Sequence, residues 1–155
     1  MGKLVFVLAA TLAACSHQAQ EIETMSTQTV ARSTPVLVAE RIEPSLAFWE
    51  KLGFERSSEV PAGDHLGFAI LTNGKVELMY QSLDSIADDM PQIRDTVAGS
   101  KTLLFVEVPS LATVRNALRG AAVYMQERKT FYGATEIGYR EPAGHLVTFA
   151  EFGKK

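Results

Sequence analysis

The sequence predicts an α+β domain built from two βαβββ modules. The order strand, helix, strand, strand, strand can be traced twice, and the segment Pro44-Ser45-Leu46-Ala47 of the first series returns as Pro109-Ser110-Leu111-Ala112 in the second. A length of 155 residues, 46% of them hydrophobic, suits one globular domain and excludes a two-domain enzyme. We expect modules at about residues 34–82 and 101–152 to form a curved eight-stranded mixed sheet, with helices outside and a concavity inside.

The first module begins with an apolar run of strand length at residues 35–39. Pro44 then suits the first turn of a helix, where its missing N–H needs no partner, and apolar side chains recur at helical spacing as far as Gly53. Further along, the dipeptide Asn73-Gly74 is a strong hairpin signal. The strands predicted after the helix cover residues 54–60, 66–71 and 76–81.

The second module repeats this order after a polar linker at residues 83–100. A strand is predicted at residues 103–108, and a helix with one apolar face follows from Ser110 to Gly120. A Pro-Ala-Gly turn joins the final two strands. The last three predicted strands cover residues 123–126, 136–140 and 145–151.

Residues 1–14 have the pattern of a secretion signal. Lys3 precedes an apolar run that is shorter than the roughly 20 residues needed to cross a bilayer. The segment Leu12-Ala13-Ala14-Cys15 resembles the lipobox of bacterial lipoproteins, which implies that Cys15 becomes the N-terminus and carries acyl chains. By the same resemblance, Ser16 after the cysteine implies the outer membrane. A plain secreted protein with a free thiol at Cys15 is the alternative.

Residues 15–33 are polar and show no apolar period, so we expect a flexible tether. The tether would connect the lipid to a folded domain at residues 34–155. This arrangement predicts a protein of the bacterial cell envelope, anchored in the membrane and facing the periplasm.

The composition excludes several functions. A net charge of −3 provides no positive field for nucleic acid, and a single cysteine with three histidines cannot build a Cys/His-rich zinc module. The chain also has no nucleophile elbow, P-loop or dinucleotide fingerprint. A hydrolase and a nucleotide-binding enzyme are therefore not supported.

Three segments of the folded part are distinctive in their order: residues 45–54, Val76-Glu77-Leu78-Met79-Tyr80, and Glu141-Pro142-Ala143-Gly144-His145. They resemble segments of the vicinal oxygen chelate superfamily, which includes glyoxalases, fosfomycin-resistance proteins, extradiol dioxygenases and bleomycin-resistance proteins. The first segment is similar to the first helix of that superfamily and to the Leu-Gly-Phe residues that follow it. The last segment is similar to the Asp-Pro-Asp-Gly turn of the same superfamily. The resemblance implies paired βαβββ modules and a homodimer in which modules are exchanged or shared.

The resemblance also implies where a metal would bind. Metal-using relatives place ligands on the first and last strands of each module, which correspond here to Thr34, Glu77, Leu103 and Thr148. Only Glu77 can ligate strongly, so we expect no metal, no other cofactor and no catalytic residue. A divalent metal ion held by Glu77, His65 and His145 is the alternative that remains open.

Without a metal, a pocket acts by shape and a few polar anchors. Alternation along the strands aims one set of side chains inward, and the loop that carries Tyr132 is able to close over a ligand. The residues predicted to bind the ligand are Val38, Glu77, Met79, Phe105, Glu107, Tyr132 and Thr148. Because this lining is apolar with two carboxylates, it favours a ligand with a flat or apolar body and a basic group.

Two further expectations concern the same pocket. Tyr124 and Tyr139 would lie with Tyr132 at its rim. The alternative is that Met79 and Phe105 fill the core and that Glu107 faces solvent because the strand register is shifted by one residue.

The first functional hypothesis is a metal-free small-molecule binding protein of the glyoxalase and bleomycin-resistance type, tethered in the cell envelope, that sequesters a toxic compound. The second is a metal-dependent glyoxalase-like lyase or transferase with displaced ligands. The third is a dimeric envelope scaffold with a collapsed cavity.

Overall fold

The computed structural model describes residues 29–153. The first module consists of β1 (Val36–Ala39), α1 (Glu43–Glu50), β2 (Glu55–Ala62), β3 (His65–Asn73) and β4 (Val76–Ser82). The linker contains α2 (Leu83–Asp89), a 3₁₀ helix (Pro91–Ile93) and α3 (Arg94–Val97). The second module consists of β5 (Leu103–Glu107), α4 (Leu111–Ala117), β6 (Ala122–Lys129), β7 (Ala134–Arg140) and β8 (Leu146–Phe152). The predicted signal peptide and Cys15 lie outside the described residues.

Each module folds into its own four-stranded sheet. Sheet A has the order β1-β4-β3-β2, and sheet B has the matching order β5-β8-β7-β6. In both sheets the first pair of strands is parallel and the other two pairs are antiparallel. The α+β class and the two βαβββ modules are therefore confirmed. The eight strands nevertheless form two sheets rather than one, since within residues 29–153 no strand of sheet A pairs with a strand of sheet B.

The equivalent helices α1 and α4 begin in different ways. Helix α1 has Pro44 in its first turn and no side-chain hydrogen bond at its N-cap. Helix α4 is capped by Ser110, whose Oγ accepts a hydrogen bond from the Thr113 N–H at 3.4 Å. Beyond the two helices, Gly53 and Gly120 adopt φ angles of 82° and 85°, which residues with a Cβ rarely adopt. The sequence repeat therefore specifies a helix at the equivalent position of each module, but the two helices begin in different ways.

One continuous apolar core joins the modules. The Trp49 ring of α1 lies 5.1 Å from the Phe54 ring of its own module and 6.4 Å from the Phe149 ring of β8, measured between centroids. Side chains of α4 and of one face of each sheet belong to the same core. Burial of a side chain such as Phe149 contributes about 1.5–3 kcal/mol, so these contacts hold the modules together. The helices α1 and α4 therefore pack against this shared core.

The side of each sheet opposite the shared core is accessible to solvent, and we call it the open face. Exposure alternates along β1 and β5 because successive side chains of a strand point to opposite faces. The open face of sheet A carries Val36, Val38, Ile70, Glu77 and Met79. The open face of sheet B carries Leu103, Phe105, Glu107, Tyr124 and Thr148.

The linker packs against the domain more than its polar composition predicted. Helix α2 begins at Ser82, whose Oγ accepts a hydrogen bond from the Ser85 N–H at 3.1 Å. Leu83 and Ile86 of the same helix are buried. All helices in the described part of the chain are too short or too polar to cross a bilayer.

Candidate ligand-binding site

The structure divides the seven predicted ligand-binding residues between the two open faces. Val38, Glu77 and Met79 lie on sheet A, and the other four lie on sheet B or in the adjoining β6–β7 turn. Phe105 is 50% exposed, so it does not belong to the core. The two groups lie on different sheets, and within residues 29–153 no strand pairing joins those sheets.

Glu77 of sheet A is already bound by neighbouring side chains. Arg32 Nη1 lies 2.7 Å from Glu77 Oε2, and the Thr34 hydroxyl donates to Oε1 at 2.9 Å. These two hydrogen bonds, that from Arg32 first, lower the pKa of the Glu77 carboxyl. Arg32 falls in the predicted tether, and its contact with Glu77 was not predicted because no periodic pattern links the two residues.

Tyr124 occupies the middle of the open face of sheet B. Its hydroxyl is 2.6 Å from the Thr148 hydroxyl, and its ring covers Gly138, where an added Cβ would be only 2.5 Å from the ring atoms. A glycine inside a strand marks such a close approach, and this was the signal that could have identified the contact. Tyr124 is thus held in one position by the bond at its tip and by the glycine beneath its ring.

The β6–β7 turn is attached to sheet B through a buried carboxylate. Glu136 is 1% exposed, and its Oε2 accepts hydrogen bonds from Arg128 Nε and Nη2 at 3.0 and 2.9 Å. The Tyr132 hydroxyl donates to Glu136 Oε1, which raises the pKa of that tyrosine. The Tyr132 ring also lies 6.3 Å from the Phe152 ring. The segment expected to close over a ligand is therefore bonded to the sheet in this structure.

Glu107 is the carboxylate of sheet B that remains available. It ends β5, its side chain is exposed, and no hydrogen bond or ion pair to it occurs within the described residues. Strand alternation places it on the same face as Phe105, two residues earlier. A free negative charge therefore lies beside an exposed aromatic ring.

Tyr139 does not lie at the rim of a pocket. It is 4% exposed and packs against Phe149 at a ring-centroid distance of 6.1 Å, so the prediction for this residue was wrong. Burial raises the pKa of the Tyr139 hydroxyl. Tyr139 directly follows Gly138 on β7. Because successive side chains of a strand point to opposite faces, Tyr139 points away from the face on which Tyr124 covers Gly138.

The two histidines of the alternative metal site have other roles. His145 is 1% exposed; its Nδ1 accepts a hydrogen bond from the Thr102 N–H and its Nε2–H donates to the Val38 carbonyl, both at 3.0 Å. His145 thus bonds the second module to β1. His65 Nδ1 lies 3.0 Å from Asp64 Oδ1. In the part of the chain that the structure describes, no three His, Cys, Asp or Glu side chains are grouped closely enough to hold a metal, so the alternative site is not assembled.

Comparison with known proteins finds similarity in structure only. No protein-family model and no curated protein matches the chain. Among solved structures, a glyoxalase/bleomycin resistance protein/dioxygenase from Nocardioides is 25% identical and superposes with a TM-score of 0.60, over 84% of this chain and 91% of that one. A glyoxalase/bleomycin resistance protein/dioxygenase family enzyme from Burkholderia phytofirmans PsJN is 16% identical, with a TM-score of 0.64 over 78% of this chain and 98% of that one. The fold is that of the vicinal oxygen chelate superfamily. The resemblance inferred from three sequence segments is confirmed at this level.

A third structure of this superfamily fold contains a bound small molecule. The bleomycin-binding protein from bleomycin-producing Streptomyces verticillus, complexed with copper(II)-bleomycin, is 22% identical, with a TM-score of 0.54 over 81% of this chain and 98% of that one. The comparison thus extends over nearly the whole of each neighbour.

The positions at which metal-using members of the superfamily carry ligands do not form a ligand set in this chain. Glu77 is bound to Arg32, Leu103 has no donor atom and is 64% exposed, and the Thr148 hydroxyl is bonded to Tyr124. Leu103 moreover pairs with Leu146 rather than with Thr148. A divalent cation needs several oxygen or nitrogen donors that converge on one point, and these side chains do not provide them.

Proposed function

We propose that this protein binds a small molecule on the open face of sheet B, without a metal ion and without converting it chemically. The observation that carries the proposal is a surface that combines exposed aromatic rings, a hydrogen-bonded hydroxyl pair and one free carboxylate. The side chains concerned are Phe105, Tyr124, Thr148 and Glu107. Small-molecule sites typically combine apolar surface with a few polar groups of this kind.

The charges on this face favour a ligand with a flat body and a basic group. Glu136 is neutralised by Arg128, which leaves Glu107 to attract a cation. Phe105 and Tyr124 offer ring faces for a planar group, and aromatic faces also attract cations. The Tyr124 hydroxyl has capacity for a further hydrogen bond beyond the one to Thr148.

The comparisons support the class of ligand. The Streptomyces verticillus neighbour is a bleomycin-binding protein in complex with copper(II)-bleomycin, so a protein of this fold holds a small molecule. The Nocardioides neighbour is a glyoxalase/bleomycin resistance protein/dioxygenase. We infer sequestration of a toxic compound as the purpose of binding here.

Berberine, a planar aromatic cation with no metal, tests the proposal directly. We expect saturable binding in a fluorescence titration, and a Kd about threefold weaker for Glu107→Gln, because an exposed carboxylate beside a cation contributes about 0.2–1 kcal/mol. The matched control is Glu55→Gln on β2, another exposed glutamate without a bonded neighbour among the described residues. Equal affinity of the wild type and Glu107→Gln would contradict the proposed site.

The metal-dependent lyase or transferase is the alternative activity, and the arrangement around Glu77 argues against it. Its carboxylate already holds a guanidinium and a hydroxyl, which compete with a cation. Elemental analysis of the purified protein separates the two functions. A stoichiometric divalent ion that is lost in Glu77→Ala would favour the metal enzyme.

We further propose that two copies complete the site. Both open faces expose apolar side chains, including Val36 on sheet A and Leu103 and Phe105 on sheet B. Monomeric proteins rarely expose large contiguous apolar patches, and a two-fold dimer would cover them. Light scattering should show a dimer that Leu103→Glu converts to a monomer, whereas Val123→Glu, at an exposed valine on the other side of sheet B, should not. A dimer that binds no ligand in any screen would favour the scaffold function.

The proposal includes a lipid tether at Cys15 that holds the protein in the cell envelope. The leader-like segment and the lipobox-like residues before the cysteine support this location. Expression of the full chain in a Gram-negative host, followed by membrane fractionation, should show that Cys15→Ser releases the protein from the membrane. Retention of that variant in the membrane fraction would argue against lipidation.

A further inference from the structure

A cavity of about 560 Å³ lies at the seam between the two modules, on the core side of the sheets. We call it the seam cavity. The end of α1, the β3–β4 turn, the end of β5, and α4 form its walls. Its apolar lining includes Leu52, Phe54, Val76, Val106, Ala117 and Phe149. This cavity is distinct from the open faces, because its lining belongs to the side of each sheet that carries the helices.

The seam cavity has the size and lining of a small-molecule site. Pockets that hold such ligands range over roughly 300–1,000 Å³ and are mostly apolar. Phe54 and Phe149 are almost fully buried, whereas Val76 is half exposed and lies where the cavity opens to solvent. A ligand with a narrow apolar body could therefore enter past Val76 and contact both modules at once.

Two charged residues, Lys51 and Glu107, border the seam cavity, and Lys51 is the one that we assign to its ligand. Lys51 follows the last residue of α1, lines the cavity, and takes part in no ion pair within residues 29–153. Glu107 also lines the cavity, but alternation along β5 turns Val106 toward the core side and the Glu107 side chain toward the open face. The seam cavity thus combines an apolar interior with a lysine that has no counter-ion of its own.

We propose that the seam cavity is a second binding site, which takes an amphipathic anion such as a medium-chain fatty acid. The apolar chain lies against Phe54, Val106 and Phe149, and the carboxylate contacts the Lys51 ammonium. This inference goes beyond the proposed function, because it concerns another cavity and a ligand of opposite charge. A molecule in this position bridges the two modules and stabilises their docking.

Octanoate is the probe, and octylammonium, with the same chain length and the opposite charge, is the ligand control. Octanoate at ten times its Kd should raise the Tm of the full chain by about 4 °C, since it binds the folded state, whereas octylammonium should not. Lys51→Met should weaken octanoate binding about tenfold, and Lys129→Met on β6 should leave it unchanged. Ala117→Trp, which fills the cavity, should abolish the octanoate shift, and Ala112→Trp on the exposed side of α4 should not.

The proposal is wrong if octanoate and octylammonium shift the Tm equally, if octanoate produces no saturable shift, or if the shift persists in Ala117→Trp. Should the tryptophan prevent folding, Lys51→Met still decides, because this exposed side chain can be replaced without disturbing the core. Octanoate binding should be the same in Phe105→Ala as in the wild type, because Phe105 lies on the open face and does not line the seam cavity. Failure of the seam site is therefore distinguishable from failure of the site on the open face.

Discussion

The two modules have one topology but different chemistry on their open faces. One cross-strand row of sheet A consists of Val36, Met79 and Ile70. The corresponding three strands of sheet B carry a row of Phe105, Thr148 and Gly138. The first row is aliphatic, while the second presents a ring, a hydroxyl and a glycine that is covered by Tyr124. The two modules thus share the backbone pairing and one core, whereas their open-face side chains differ because the core does not constrain them.

The modules also differ in how they neutralise acidic groups. Glu77 of sheet A is paired with Arg32, which lies before β1, whereas Glu136 of sheet B is paired with Arg128 in the adjoining strand. Each sheet also keeps one exposed carboxylate without a bonded neighbour in the described part of the chain, Glu55 on sheet A and Glu107 on sheet B. The modules therefore differ in how their bonded carboxylates and open-face side chains are held, and three substitutions test these differences.

Gly138→Ala should have the largest effect. The new Cβ would lie 2.5 Å from the Tyr124 ring, so the ring must move and its bond to Thr148 is lost. We expect a loss of about 2 kcal/mol in the free energy of unfolding, as for other overpacked sites. Urea denaturation measures this loss. In a Tyr124→Ala background the same substitution should cost less, because the clash with the ring is absent and only the approach to the Met125 Cβ at 2.9 Å remains. An equal cost in both backgrounds would show that the ring does not require the glycine.

Glu136→Gln should have an intermediate effect. The substitution keeps the shape of the side chain but removes the charge that accepts hydrogen bonds from Arg128 and Tyr132. Hydrogen bonds to charged groups contribute about 1.5–3 kcal/mol, and we expect about 1.5 kcal/mol because the Arg128 guanidinium can return to water. Chemical denaturation gives the value, with Glu55→Gln as a neutral surface control. A loss no larger than that of the control would mean that the buried carboxylate does not hold the β6–β7 turn.

Arg32→Ala should have the smallest effect, and this effect should depend on pH. Arg32 lowers the pKa of Glu77 in the folded state, so its contribution to stability is present above the ordinary carboxyl pKa of 4.5 and disappears as the pH falls through the lowered value. The wild type should therefore be slightly more stable than Arg32→Ala at pH 7, and the difference should vanish in acid. Urea unfolding at a series of pH values measures it. A difference that stays constant into acid would exclude the ion pair as its cause.

The elements were predictable because their signals are local. The strand positions follow from alternation, the two helix starts from Pro44 and Ser110, and the β3–β4 hairpin from Asn73-Gly74. Alternation also placed Phe105 and Glu107 on the open side of β5. The two-residue repeat of a strand is enough to assign side chains to one face or the other, since adjacent residues point to opposite sides.

The bonds that shape the open faces were not predictable in the same way. Arg32 and Glu77 are 45 residues apart, and Tyr124 and Thr148 are 24 apart. Tyr139 was misplaced because its position relative to the core depends on which face of sheet B packs against the helices. The sequence pattern separates the two faces of a strand but does not state which face a second module will cover.

By itself, the sequence determined two βαβββ modules that resemble those of the vicinal oxygen chelate superfamily, and it determined which residue types each face of a strand can carry. It could do so because the spacing of hydrophobic residues and the preferences of turn residues act over a few neighbouring positions. Only the tertiary structure decided that the helix sides of both sheets share one core, that Glu77 and Glu136 are neutralised while Glu107 is not, and that a cavity remains at the seam. The reason is that packing and ion pairing join distant segments in competition with many alternative partners, and a local pattern carries no information about which partner prevails.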